Sequence, residues 1–257
     1  IDKFYTNPSI VKKYIDKFKP YIGKNDLIIE PSAGCGVWTI PLHMYNLIAF
    51  DIQPEGEGIQ QMDFLGVDLY AFQSNLHFIG NPPFGRQSSL AKKFIKHICS
   101  CEKTQTIAFI LPKSFKKDSF QRVFPPNYHL EYQDDVSKDA FLANGKPYDV
   151  PCVFQIWRKK DTERVIPEKV EPKGFKFVKK NENPDCSLRR VGVYAGKISK
   201  DIEDKSDQSH YFIKVEQNCD LFIIKYQNIE WEHNNTVGPK SISKQEFIRE
   251  INKLTSL

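Results

Sequence analysis

The chain has 257 residues and sets 37 Lys/Arg against 32 Asp/Glu, a formal charge of +5. Hydrophobic residues make up 40%, with 19 phenylalanines, which is enough for a packed core and excludes a wholly disordered chain. No apolar run approaches about 18 residues, which excludes a membrane-spanning helix, and the length suits one large α/β domain with a small appendage.

The cysteines Cys35, Cys99, Cys101, Cys152, Cys186 and Cys219 form no CxxC pair and no Cys/His set at zinc spacing. A metal site is therefore not expected. Most of these thiols sit in apolar stretches and read as reduced core residues of a cytosol-like compartment. No basic-then-apolar leader opens the sequence, so secretion is not expected. A cytoplasmic, bacterial, phage or large-virus setting fits.

In chain order, Pro8–Lys19 predicts a helix. Ile10, Val11, Tyr14, Ile15 and Phe18 share one face, and Pro8 suits a first turn. Leu27–Ile29 is a short, wholly apolar run, as in a buried parallel strand. It leads into Glu30-Pro31-Ser32-Ala33-Gly34-Cys35-Gly36, a glycine-rich turn, and then a helical stretch from Val37 to about Tyr45. Leu47–Phe50 is a second apolar strand that ends at Asp51. The stretch Met62–Leu65 is a short landmark. His77–Gly80 is a strand ending at Asn81-Pro82-Pro83-Phe84-Gly85. A helix over Ser88–Ser100 follows, then a buried strand over Thr106–Leu111 stopped by Pro112.

Such alternation predicts a doubly wound, mostly parallel α/β sheet of Rossmann-like type. A hairpin of Leu130–Asp134 with Cys152–Trp157 closes it. The charged, proline-containing stretch from Lys159 to Pro172 marks a domain boundary, placed at 160/161. Beyond it, Gly174–Val178, Tyr211–Val215 and Leu221–Tyr226 read as short strands, and Ser243–Leu254 as a helix. A small C-terminal α+β domain is expected.

Charge is uneven along the chain. Residues 1–157 hold 17 Lys/Arg and 16 Asp/Glu, net +1; residues 158–200 hold 13 and 6, net +7; residues 201–257 hold 7 and 10, net −3. A neutral body followed by a basic segment fits an anionic partner, nucleic acid first, or else a solvated Lys-rich face.

Ligands of open parallel sheets bind at the carboxyl ends of strands, and every notable motif here lies at such an end. The GxG turn lacks the Lys of a phosphate loop and the third glycine of a dinucleotide fingerprint. Taken by itself it is equally a plain strand-to-helix turn. Asp51 is placed to accept from both hydroxyls of a ribose. Asp63 can accept from an adenine amine while Phe64 packs on the ring. A nucleoside cofactor without pyrophosphate is implied.

Asn81-Pro82-Pro83-Phe84 is the most informative tetrapeptide. Its two prolines fix the backbone and remove two donors. Asn81 Oδ1 and the Pro82 carbonyl form a pair of acceptors for the two hydrogens of an NH2 group. Holding both hydrogens localises the nitrogen lone pair and aims it at an electrophile. Phe84 can stack on the ring that bears the amine.

The set Phe4-Tyr5-Thr6, EPSAGCG, Asp51, Asp63-Phe64 and NPPF, in that order, resembles the S-adenosylmethionine-dependent DNA N6-adenine methyltransferases with a C-terminal recognition region. The resemblance covers residues 2–157. It implies a methyltransferase sheet of seven strands and S-adenosylmethionine as cofactor. Phe4, Tyr5, Thr6, Glu30, Pro31, Ser32, Ala33, Gly34, Gly36, Asp51, Ile52, Asp63, Phe64 and Asn81 would hold the cofactor. Asn81, Pro82, Pro83 and Phe84 would be catalytic. Phe84, Gly85, Lys113, Pro151 and Phe154 would meet the target base, with residues 145–154 as a hairpin that helps hold it.

Phe84 stands where many relatives have tyrosine, and phenylalanine is common in RNA-directed relatives. The expected reaction is direct methyl transfer to a flipped adenine of DNA, with RNA adenine as the alternative and a protein glutamine amide as a third reading. Residues 1–160 would form the catalytic domain and 161–257 a basic recognition domain. There Arg189, Arg190 and Lys197, interleaved with glycines and Tyr194, suit phosphate contacts.

Overall fold

The computed structural model describes residues 5–143, 146–231 and 240–255. Phe4 and Gly145 lie outside them. The chain divides into two compact units, Ile1–Ile166 and Pro167–Leu257.

The first unit opens with β1 (Tyr5–Thr6) and α1 (Pro8–Phe18). Asn7 caps α1 by accepting from the Ser9 backbone N–H, and Pro8 fills the first turn, where no donor is needed. Val11, Tyr14, Ile15 and Phe18 form its buried stripe. Then come β2 (Leu27–Glu30), β3 (Leu47–Asp51), β4 (Gln60–Gln61), β5 (Leu76–Gly80), α2 (Ser89–Ser100), β6 (Thr104–Pro112), α3 (Asp118–Gln121), β7 (Tyr128–Asp135), β8 (Phe141–Ala143), β9 (Lys146–Tyr148) and β10 (Cys152–Lys159).

Seven of these strands form one sheet in the order β4-β3-β2-β5-β6-β10-β7. Neighbours from β4 through β6 pair parallel, and β10 pairs antiparallel with both β6 and β7. This is the expected Rossmann-like sheet. Apolar clusters cover both faces, one containing Phe64, Phe78 and Phe94, the other containing Tyr14, Trp38 and Phe154. A smaller sheet pairs β1 with the β8–β9 hairpin.

The chain runs outward from β2 to β4 and then returns to β5 on the other side of β2. The strand order therefore reverses between β2 and β5. Ligands of such sheets bind at that reversal, outside the carboxyl ends.

One expected helix is absent. Residues 37–45 form turns and a single 3-10 turn at Ile40–Leu42. Pro41 has no N–H to give the Val37 carbonyl, and its ring collides with that carbonyl in a helix.

Residues 161–166 belong to the first unit because Arg164 binds it tightly. Its guanidinium donates to the carbonyls of Gln121, Phe124, Pro125 and Tyr128 and lies 5.1 Å from the Trp157 ring.

The second unit carries β11 (Phe175–Val178), β12 (Cys186–Arg189), β13 (Ile198–Ser199), β14 (His210–Val215), α4 (Cys219–Tyr226) and α5 (Lys244–Thr255). Its antiparallel sheet has the order β11-β14-β12-β13, and Phe175, Ile213, Phe247 and Ile251 centre its core. This is the expected small α+β domain. Leu221–Tyr226, expected as a strand, is helical instead. Asn218 Oδ1 accepts from the N–H groups of Asp220 and Leu221 and caps the helix start. Phe222 and Tyr226, one turn apart, are buried, while Leu221 and Ile224 face solvent.

Candidate active site

A cavity of about 670 Å³ opens at the carboxyl edge of the large sheet, where the strand order reverses. It falls inside the roughly 300–1,000 Å³ of small-ligand sites. The turn after β2, the ends of β3 and β4, the turn after β5 and the strand β1 each contribute to its wall.

The turn after β2 is fastened to its neighbours. Ala33 donates its N–H to the Phe50 carbonyl at 2.9 Å. Gly34 donates to Asp51 Oδ2 at 2.7 Å, and Asp51 Oδ1 takes the Gln53 N–H at 2.7 Å. A carboxylate has about four lone-pair positions, so Asp51 keeps acceptor capacity on the cavity wall. Pro31, Ser32 and the exposed Ile52 line the same wall.

Asp63 caps a short turn by accepting from Leu65 N–H at 3.0 Å, and it too reaches the cavity. Phe64 is 1% exposed. Its ring is packed among Phe50, Phe78, Phe94 and His97, so it forms a fixed floor and not a free stacking face.

The turn after β5 is set by its own backbone. Ser32 Oγ donates to the Asn81 carbonyl at 3.2 Å. The Phe84 carbonyl accepts from Leu90 and Ala91 at the start of α2. Gly85 has φ +67°, and a Cβ there would stand 2.9 Å from Leu90 Cγ, so only glycine fits. Asn81 Oδ1 is buried on this wall and has no donor among the described residues. Buried acceptors almost always have partners, so this atom suits an N–H from a ligand. Phe84 is half-buried and lines the cavity beside it.

Tyr5 and Thr6 line the cavity from β1. Tyr5 OH donates to Glu55 Oε2 at 2.6 Å, joining the strand to the loop after β3.

Glu30 does not belong to the cavity wall. Its carboxyl is 1% exposed behind the turn and accepts from Thr39 Oγ1. Burial pushes its pKa up to about 8; the Thr39 hydrogen bond lowers it and the Asp51 charge raises it further. Gly36 likewise supports the turn from outside the wall, donating to the Ala33 carbonyl and accepting from Ile40 N–H.

Three expected base contacts lie elsewhere. Phe154 is fully buried and stacks on Tyr14 at 4.0 Å, because the pleat of β10 turns it toward α1. It is a core residue, and its assignment to base binding is corrected. Lys113 is held 3.3 Å from Asp135 and donates its N–H to the Pro151 carbonyl, so both residues fasten the β6–β10 margin and neither lines the cavity.

In the second unit, Arg189 Nε donates to the Val191 carbonyl, and the Arg190 guanidinium lies 4.9 Å from the Tyr211 ring. Both are half-buried, whereas Lys197 is exposed. Val193 and Tyr194 at the adjoining turn are 82% and 69% exposed.

The sequence reading missed Trp38, Met62, Leu90 and Phe94 on the cavity wall. Trp38 is 2% exposed, and its Nε1 has no acceptor among the described residues.

No protein-family model matches the chain, and no curated protein matches it. Among solved structures, it is similar to the 23S rRNA methyltransferase ErmE at 13% identity and TM-score 0.48, over 62% of this chain and 70% of that one. A modification subunit ascribed to a type I restriction enzyme of Vibrio vulnificus YJ016 aligns at 11% identity and TM-score 0.47, over 98% of this chain and 61% of that one. The M. jannaschii tRNA m1G37 methyltransferase aligns at 18% identity and TM-score 0.42, over 62% and 52%.

Proposed function

We propose that the chain is an S-adenosylmethionine-dependent methyltransferase that modifies the N6 amino group of adenine in DNA. The observation that carries this is Asn81, half-buried on the wall of a cavity that also presents Asp51 and Asp63, with an Oδ1 that has no donor among the described residues.

The residues fit the cofactor by chemistry. Asp51 has acceptor capacity for ribose hydroxyls, Asp63 accepts from an adenine amine, and Ile52 and Phe64 supply apolar surface. Bound S-adenosylmethionine supplies a methyl group on a sulfonium, an electrophile that needs no covalent enzyme intermediate.

The chain's own part is positioning and dipoles. Asn81 Oδ1 and the Pro82 carbonyl accept the hydrogens of the target amine and draw its lone pair out of conjugation. Phe84 offers a ring face to the extruded base, offsetting part of the few kcal/mol that unstacking costs. Pro83 and Gly85 hold these groups in place. The second unit supplies backbone contacts through Lys197 and its exposed basic neighbours, with Tyr194 available for stacking.

RNA adenine is the second reading, favoured by Phe84 where many DNA-directed relatives have tyrosine. The test is methyl transfer from labelled cofactor to duplex DNA, single-stranded DNA, RNA and protein, followed by mapping of the modified base. N6-methyladenine in DNA is expected. Label confined to RNA would move the substrate to the second reading, and label on protein amides would overturn both.

A further inference from the structure

The strip of residues 158–200 is not the only concentration of positive charge in the chain. The net +1 of residues 1–157 conceals another. Residues 41–85, which bring Asp51 and Asp63 to the cavity, hold no Lys or Arg and five Asp/Glu, net −5. Residues 86–122, which start where the Asn81 turn ends, hold nine Lys/Arg and two Asp/Glu, net +7.

Helix α2 sorts its residues by face. Ala91, Phe94, Ile95 and Ile98 are its buried stripe, and Leu90 and Phe94 line the cavity. Its exposed residues are Ser89, Lys93, Lys96 and Ser100. Steps of four, three and four place them on one outward stripe. The helix contains no acidic residue. Arg86 is exposed just ahead of it. The Ser88 N–H donates to the Gly85 carbonyl at 3.1 Å, and Gln87 and Ser88 take φ of +52° and +60° to close that turn. Arg86 is thereby held between the Asn81 turn and the helix.

Solvated helix faces are stabilised by Glu–Lys pairs at i,i+4. Here Lys92 and Lys96 stand at that spacing with like charges. Burial, and then Lys96, hold the Lys92 amine below the usual lysine range. Lys113 and Lys116, beyond β6, are neutralised by Asp135 at 3.3 and 2.5 Å. Arg86, Lys93 and Lys96 have no acidic partner among the described residues. Cations without counter-charges, on the outer face of a helix whose inner face walls the cavity, fit a polyanion laid along that face.

We propose that Arg86, Lys93 and Lys96 form a contact surface for the duplex-DNA backbone on the first unit, holding the strand beside the base presented to Asn81. Contacts of this kind position the strand and carry no sequence information. The proposal rests on the DNA reading above.

The test is the salt dependence of duplex-DNA affinity, measured by fluorescence anisotropy on the full chain. Wild type is compared with Lys93→Ala, Lys96→Ala, the triple variant that adds Arg86→Ala, and Lys24→Ala. Lys24 is an exposed lysine just before β2, at the amino edge of the sheet, and controls for loss of a charge anywhere. Alanine favours the helix, so the fold is retained. Lys93→Ala and Lys96→Ala should each lower the slope of log affinity against log salt by about 0.9, and the triple variant by about 2–3. Lys24→Ala should leave the slope unchanged, and S-adenosylhomocysteine affinity should be unchanged in every variant.

An unaltered slope in the triple variant would overturn the proposal. An equal loss in Lys24→Ala would overturn it too, because bulk charge and not this face would then set the slope. So would a loss measured with RNA or with polyglutamate but not with duplex DNA, which would assign the face to another partner. Failure of wild type to bind any nucleic acid would instead overturn the nucleic-acid reading itself.

Discussion

Asp51 and Glu30 show how two carboxyls one strand apart acquire different tasks. Asp51 stands at the open end of β3, holds two backbone N–H groups and keeps lone pairs free for a ligand. Asp51→Ala should weaken S-adenosylhomocysteine binding by about 10–100-fold, the range for hydrogen bonds to a charged acceptor. An unchanged dissociation constant in calorimetry would remove its ribose role. Glu30 is sealed behind the turn, and burial lifts its carboxyl to about 8 from an ordinary 4.5. The folded chain therefore keeps a proton that the unfolded chain releases above about pH 4.5. Stability from this group is complete below that pH and is lost as pH rises toward 8, by at most about 1.4 kcal/mol per pH unit. Glu30→Gln has no proton to release, so its stability in urea titrations should decline less between pH 5 and 8. Identical slopes for the two proteins would place the controlling ionisation elsewhere. Asn81 and Asp51, both on the cavity wall, were legible because each follows an apolar strand; Asp63, on the same wall, follows the polar Gln60–Gln61 and was marked only by the apolar Phe64 after it. Trp38, a lining residue, was not legible, because a tryptophan in an apolar stretch reads as core, and in the structure it is 2% exposed. Phe154 failed in the other direction: its motif position says nothing about which face of β10 it occupies.

At the level of elements, the turns after β2 and β5 form much of the wall of the candidate site, and backbone sterics hold them. Gly85 combines φ +67° with a Cβ position 3.0 Å from Leu90 N. Gly85→Ala should cost about 1–3 kcal/mol through left-handed strain and the clash. Turnover should fall while S-adenosylhomocysteine affinity changes little, because Asp51 and Asp63 are untouched. A variant with full turnover would show that the Asn81 turn tolerates displacement. Strands β2, β3 and β5 were readable as apolar runs because strands buried on both faces lack alternation. Two elements were misread for local reasons. Pro41 broke a helix that the apolar pattern from Val37 onward favoured. The apolar run Leu221–Tyr226 has β-branched residues that suggest a strand, but the Asn218 cap and the Phe222/Tyr226 spacing make it helical. Short apolar runs do not distinguish the two states without their caps.

Across the whole molecule, a bulk charge of +5 divides into a near-neutral segment of +1, a strip of +7 that begins as the large sheet ends, and a tail of −3. Composition made that division visible but not the identity of its free cations. Arg189 and Arg190 spend part of their capacity on Val191 and Tyr211, whereas Lys197 is exposed. Lys197→Ala should lower DNA affinity similarly for all sequences and reduce the salt slope by about 0.9 if one phosphate contact is lost. An unaltered slope would remove Lys197 from the interface. In the proposed function Asn81 aligns an amine for methyl transfer and does not simply hold the cofactor. Its most direct test is Asn81→Ala, measured both by labelled-methyl transfer to adenine-containing DNA and by S-adenosylhomocysteine binding. Transfer should fall by at least about 100-fold, on the scale of removing a preorganised dipole, while cofactor affinity stays within a few-fold. Retained transfer would contradict it.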